Sequence, residues 1–264
     1  MCGRYSLVTD YDALQTRFDI KSEQRLQVLP RYNIAPTQEI AVITNSQQGN
    51  HLTTMKWGLI PNWAEEPTIG QRLINARAET VGEKKAFRDS LRCRRCVVAA
   101  DGFYEWRKVP GGKQAYFSRL KSGTPFGFAG LWDRWCGLQG QTLETFTILT
   151  TVANELLEPI HSRMPVILGK EQREAWLSPG TDVHRALFWQ PGDAVDLHSL
   201  RGDLRFCRAA PVHSVGLLHR DLPLPVLSLL VVENPHCHLR QGHQKIQLEP
   251  KLLLFSLVLP TLHF

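Results

Sequence analysis

No apolar stretch in this sequence is long and charge-free enough to cross a bilayer, and its first residues show no basic segment leading into an apolar one. Neither a membrane helix nor a signal peptide is expected. The six cysteines, at 2, 93, 96, 136, 207 and 237, lack the spacing of a disulfide framework. Reduced thiols in a cytoplasmic or nuclear compartment are the expectation. There is no glycine-rich phosphate loop, no Gly-x-Ser-x-Gly elbow and no HExxH, so the usual nucleotide, serine-hydrolase and zinc-protease signatures are missing. Cys93-Arg-Arg-Cys96 has the look of a zinc knuckle. Zinc takes four ligands as a rule, however, and the remaining candidates, Cys207 and His236-Cys237-His238, lie far along the chain. No metal and no cofactor is expected, and no internal repeat is visible.

What is present suits one globular domain. The chain has 264 residues, 43% hydrophobic and 21% charged, enough to bury a sizeable core. The net charge of +6 permits a polyanionic partner without requiring one. The basic run Lys84, Lys85, Arg88, Arg92, Arg94 and Arg95 reads as a solvated surface. Leu14 and Phe18 at helical spacing predict a helix over 10–20, capped by Thr9 or Asp10. Strands are predicted at 40–44, 52–59, 96–100, 103–107, 115–120, 125–131, 146–150 and 164–168, and short helices at 86–91, 152–157 and 171–177. Asp101-Gly102 predicts a hairpin. Without regular strand–helix alternation the fold class is α+β, a single mixed and mostly antiparallel sheet with short helices. From Arg201 the composition turns Leu/Pro/His-rich with weak periodicity. The predicted organisation is a domain over 1–200 and an atypical, poorly packed tail over 201–264.

Five short stretches hold more chemistry than packing needs. MCGRY places Cys2 behind the initiator methionine. Removal of Met1, expected before a small side chain, would leave one residue carrying an α-amine near ~8 and a thiol near ~8.5. Chance occurrence in a frayed terminus is the plain alternative. RYNIAPTQ places Asn33 ahead of a turn at Pro36, where it could simply cap that turn. INARAET places Asn75 and Arg77 two apart, on one face if extended; Arg77 could instead pair with Glu79 at the surface. DGFYEW sets Glu105 among Phe103, Tyr104 and Trp106. An inward carboxylate there needs a partner or keeps its proton, which is how such a group becomes a proton donor. EPIHSRMPVIL puts His161 and Arg163 in a loop before an apolar strand, where His161 could equally face solvent.

In order, Met-Cys-Gly-Arg, RYNIAP, MKWGLIPNW, LINARAET, RRCVVAADGFYEW and IHSRMPVIL resemble the SRAP proteins, for SOS response-associated peptidase. The resemblance covers about residues 1–180, loosely to 200. It implies a barrel-like SRAP domain, a monomer without membrane contact, and action on abasic sites in single-stranded DNA as part of DNA damage repair. The Cys2 amine would form a Schiff base with the lesion's aldehyde, and its thiol would close a thiazolidine, a covalent DNA–protein link. Lyase-type chemistry, and a peptidase (hydrolase) activity confined to Met1, are implied too. The family roles place Cys2, Asn33, Glu105 and His161 in catalysis: Asn33 holding the linked terminus, Glu105 moving protons at the Schiff base, and His161 opening the sugar. Arg4, Arg77 and Arg163 would hold phosphates, Asn75 would shape the pocket, and Pro36 and Trp63 would stack on bases. The compartment would be the bacterial cytoplasm or the eukaryotic nucleus. The tail departs from the pattern: of the family's closing Pro-Val-Ser strand, only Pro211-Val212-His213-Ser214 is a trace.

Two other readings stay open at this point. Class II glutamine amidotransferases also begin Met-Cys-Gly and use an N-terminal cysteine on an amide. A non-catalytic single-stranded DNA binder would keep the arginines without the adduct.

Overall fold

The computed structural model describes residues 2–22, 25–181 and, for the backbone, 197–202. The elements in chain order are β1 (Arg4–Leu7), α1 (Tyr11–Phe18), β2 (Arg31–Ile34), β3 (Glu39–Ser46), β4 (Gly49–Trp57), a 3-10 helix (Pro67–Arg72), β5 (Asn75–Arg77), α2 (Lys85–Cys93), β6 (Arg95–Ala100), β7 (Gly102–Val109), β8 (Gly112–Leu120), β9 (Phe126–Cys136), β10 (Thr142–Val152), β11 (Arg163–Pro165), β12 (Ile167–Leu168), α3 (Lys170–Leu177) and β13 (Leu197–Gly202).

Local chemistry explains the boundaries. The Asp10 carboxylate accepts from the Ala13 N–H at 2.9 Å and caps α1, which ends where Asp19 turns left-handed at φ 51°. Tyr11, Leu14 and Phe18 are the buried stripe of that helix. β3 and β4 form a hairpin with Ser46 opposite Gly49, and Gly49 takes φ 102°, a region glycine adopts without strain.

Five strands close on themselves. β10 pairs with β4, β4 with β3, β3 with β6, β6 with β9, and β9 again with β10. Only the β10–β4 step of this ring is parallel. β5 and β11 extend it along β10, and β12 along β9. The second sheet runs β13-β8-β7-β1-β2. It packs on the barrel through aromatic rings: Tyr5 lies edge-on to Trp57 and Phe128 at 5.3 and 5.8 Å, and Phe103 to Phe128 at 5.9 Å. Each fully buried ring of this kind stabilises by roughly 1.5–3 kcal/mol. The mostly-sheet α+β class with short helices is therefore as predicted.

Several details differ. Asp101-Gly102 makes no hairpin, because β6 pairs with β3 and β9 while β7 pairs with β1 and β8. Here the chain passes from barrel to second sheet. The Asp101 carboxylate is taken up by the N–H groups of Val8 and Thr9 and the Thr9 hydroxyl. Gly102 is needed for space, since a Cβ would lie 2.2 Å from the Phe117 ring. Residues 152–157 are not a helix: β10 continues through Val152, and the Asn154 carbonyl then collects the N–H groups of Leu157 and Glu158 in a turn. The side chain of Asn154 also accepts from Leu157 N–H, and Pro159 cannot continue a helical ladder. The 164–168 strand is split at Val166, whose N–H bonds Leu149 of β10 and whose carbonyl bonds Ala129 of β9. The basic run is solvated except at its end. Arg95 is buried and donates to the carbonyls of Leu91, Arg92, Trp176 and Ser178, and Arg94 pairs with buried Asp133 at 3.1 Å. The predicted boundary near 200 falls inside β13, whose Arg201 and Gly202 still pair with Tyr116 and Ala115 of β8. The tail beyond 202 lies outside the described residues.

Candidate functional site

Cys2 is fully buried just ahead of β1, the strand between β2 and β7. Its thiol lies 3.9 Å from the Arg4 carbonyl. Burial pushes the thiol well above its ordinary value, and the negative charge of Glu105 adds to the shift. Glu105 stands on β7, where alternation turns Phe103 and Glu105 inward and leaves Tyr104 and Trp106 half-buried. At 3% exposure the carboxylate belongs to the interior, as an inward reading of DGFYEW required.

The second wall is β5. Asn75 and Arg77 share one side, and Ala76 between them is buried. The Asn75 side-chain amide donates to the Cys2 carbonyl at 2.8 Å, tying the terminus to a strand 73 residues away in sequence. β5 is held by β10, with Asn75 opposite Ile148 and Arg77 opposite Thr150, and by the Trp57 indole, which donates to the Ile74 carbonyl at 2.9 Å. Gly58, next in the chain, takes φ 124°, and a Cβ there would lie 2.6 Å from the Gly70 carbonyl oxygen. The Trp-Gly pair of MKWGLIPNW is thus a backbone requirement.

The third wall is the β10–β11 connection. The Arg163 backbone N–H donates to His161 Nδ1 at 3.0 Å. The Arg163 guanidinium forms a two-pronged pair with Glu79 at 2.8 and 2.9 Å and also donates to the Thr150 carbonyl at 2.6 Å. Arg163, not Arg77, is therefore the partner of Glu79, and Arg77 is exposed. Burial alone would raise the Glu79 carboxyl, but the Arg163 hydrogen bonds outweigh it and hold it below its ordinary value.

Asn33 sits half-buried on β2 next to β1, and that strand is pinned by the Tyr104 hydroxyl donating to the Tyr32 carbonyl at 2.8 Å. Half-buried Pro36 leads into Thr37, whose φ of 73° is strained for a β-branched residue. The Thr37 N–H bonds the Trp57 carbonyl at 2.8 Å, so Trp57 organises this turn as well as β5. Arg4 is half-buried opposite Tyr104. Trp63 is 43% exposed, with the Lys85 ammonium 4.5 Å from its ring centre. Its turn is anchored by Asn62 to Asp133 and by Ile60 to Thr145, towards the opposite end of β10 from Thr150.

The structure thus brings Cys2, Glu105 and Asn75 together, and joins Arg77, Arg163 and His161 through Thr150 and its neighbours. Trp57, Glu79 and Thr150 hold these candidate residues in place, a part that sequence reasoning missed. Glu79 was visible within INARAET, but its partner 84 positions away was not. Cys93 is exposed while Cys96 is buried in β6, and among the described residues no group of three or more His, Cys, Asp or Glu is arranged to hold a metal. No helix among those residues is long and apolar enough to cross a membrane.

Comparison with known proteins shows the family. The model of the family described as SOS response associated peptidase (SRAP) matches residues 1–201. The abasic site processing protein YoqW of Bacillus subtilis is 44% identical over 206 residues, covering 75% of this chain and 91% of that protein. The abasic site processing protein YedK of Escherichia coli is 32% identical over 186 residues, covering 67% and 79%. A crystal structure of a Bacteroides thetaiotaomicron protein superimposes with a TM-score of 0.72 at 29% identity, over 80% of this chain and 96% of that one. With its ordered motifs, its closed barrel and these relatives, the chain belongs to the SRAP family.

Proposed function

We propose that this protein processes abasic sites in single-stranded DNA by linking Cys2 covalently to the lesion. The observation that carries the reading is the setting of Cys2: fully buried, its carbonyl held by Asn75 and its thiol within the field of Glu105. The names of YoqW and YedK as abasic site processing proteins support the lesion as the target. Removal of Met1, by an aminopeptidase or by the chain itself, comes first. The free Cys2 amine adds to the C1′ aldehyde of the ring-opened sugar, and loss of one water gives an imine. The thiol then adds across the C=N bond, its proton passing to nitrogen, and S, Cβ, Cα, N and C1′ close a five-membered ring. Only a terminal cysteine carries both nucleophiles on one residue.

The remaining residues serve that sequence. Glu105 shuttles the protons of dehydration and ring closure, a task that needs a carboxyl beside the thiol and sheltered from water. His161 assists opening of the sugar. Asn75 and Asn33 keep the terminus in place. Exposed Arg77 and half-buried Arg4 hold phosphates beside the lesion, and Pro36 and Trp63 take neighbouring bases. The protein acts as a monomer wherever the cell keeps its DNA.

Intact mass spectrometry after incubation with abasic single-stranded DNA tests the reading. The expected species has the mass of protein without Met1 plus DNA minus one water, and is missing with undamaged DNA. Glutamine hydrolysis without any adduct would favour the amidotransferase alternative. DNA binding without an adduct would favour a passive binder.

A further inference from the structure

We infer that Glu79 is a positioning residue for His161, acting through Arg163; the inference rests on the proposed role of His161 in opening the sugar. Arg163 is not turned outward as a phosphate hook. Its side chain is 14% exposed, both terminal nitrogens are engaged by Glu79, one of them also by Thr150, and Nε is buried without an acceptor. The Thr151 hydroxyl donates to the same Glu79 carboxylate at 3.3 Å. A two-pronged guanidinium–carboxylate pair fixes direction as well as distance. It locks Arg163 at the start of β11 against the last residues of β10, where Arg163 already pairs with Val152. The N–H of this fixed residue is what His161 Nδ1 receives, at 3.0 Å.

A nitrogen that accepts a hydrogen bond carries no proton. With Nδ1 accepting from Arg163, the ring proton belongs on Nε2, and the ring plane is set by the Arg163 backbone. The Arg163 carbonyl lies 3.2 Å from the same Nδ1. A small shift of Arg163 would let the ring turn its other tautomer to that carbonyl, and the proton offered by His161 would move to the wrong nitrogen. Glu79 blocks that shift. Its carboxylate does not need to touch DNA to matter for the reaction.

The test compares Glu79→Gln, Arg163→Lys and His161→Ala with the parent protein. Nitrogen NMR of histidine-labelled protein, assigned by the signal lost in His161→Ala, should show a single Nε2–H tautomer in the parent. Glu79→Gln and Arg163→Lys should each show a mixture. In single-turnover assays both should lower the saturating rate of adduct formation about tenfold, part of the ~10²–10⁴ that a positioned acid–base group contributes. The DNA concentration for half-saturation should change little, and an open-chain aldehyde analogue should restore the rate. An unchanged tautomer, or a loss confined to half-saturation, would overturn the inference. Normal Glu79→Gln beside slow His161→Ala would overturn the positioning role alone. A parental rate in His161→Ala would remove the step that Glu79 serves and overturn both it and the role proposed for His161.

Discussion

The Asn75 side chain donates to the Cys2 carbonyl at 2.8 Å. This bond fixes Cys2 against β5, so that in the proposed mechanism its amine and thiol are held in place. Asn75→Ala leaves the carbonyl without that donor and frees the terminus to reorient. The adduct should form on the order of tenfold more slowly, equal to roughly 1.4 kcal/mol of barrier. Single-turnover rates at saturating DNA check this; an unaltered rate would leave Asn75 a packing residue.

The buried thiols predict a pH effect on stability. Burial raises Cys2, with Glu105 adding to it, and burial alone raises Cys96. For each, the folded state keeps the proton longer than the unfolded chain, whose thiols titrate near ~8.5. The stabilisation is complete below that value and is lost progressively as pH rises above it. The thermal midpoint should fall between pH 8 and pH 10, and less steeply in Cys96→Ala. Equal slopes in both proteins would remove the buried Cys96 thiol as a cause.

Asp133 anchors the turn that carries Trp63. It pairs with Arg94 at 3.1 Å and accepts the Asn62 N–H at 3.0 Å, with only 5% of its side chain exposed. Asp133→Ala would leave Arg94 without its partner in a half-buried setting. A loss of about 2–4 kcal/mol is expected, near the range for breaking a buried pair. Urea unfolding measures it, and a change below about 0.5 kcal/mol, the usual scale of surface substitutions, would show the pair to be incidental.

How much of this was legible in the sequence divides by range. Local alternation offered an inward Glu105, put Asn75 and Arg77 on one face if extended, and left Thr9 or Asp10 to head α1, because each follows from neighbours within a few residues. The closure of the barrel was implied by the family resemblance alone, since nothing in β9 or β10 by itself says that they pair after β9 has also joined β6. Asp101-Gly102 misled for the same reason: a turn dipeptide reports a change of direction, and the carboxylate that looked like a turn former is spent on Val8 and Thr9 across the sheet junction. For Glu79 the sequence offered Arg77, two positions away, as one alternative, while the partner it has arrives from a strand 84 residues on. The role of Trp57 as the tie between the Pro36 turn and β5 needed the fold to be seen.

DNA binding should be insensitive to base sequence and weaken with salt. Each phosphate contact removed from a single strand lowers the log–log slope by about 0.7. Arg77→Ala should show that decrement in a salt titration. Glu79→Gln should not, because its carboxylate holds Arg163 and faces no phosphate. Equal slopes for Arg77→Ala and parent would show that Arg77 lies off the path of the strand.

The central claim is that the amine and the thiol of one residue, Cys2, together make the DNA link. The most direct measurement compares the mature protein with a form whose N-terminus is blocked, by retaining Met1 or adding a tag, on abasic single-stranded DNA by intact mass. The mature protein should give a heat-stable species of combined mass less one water, and the blocked form should bind the same DNA yet give none. A stable adduct from the blocked protein would contradict the account.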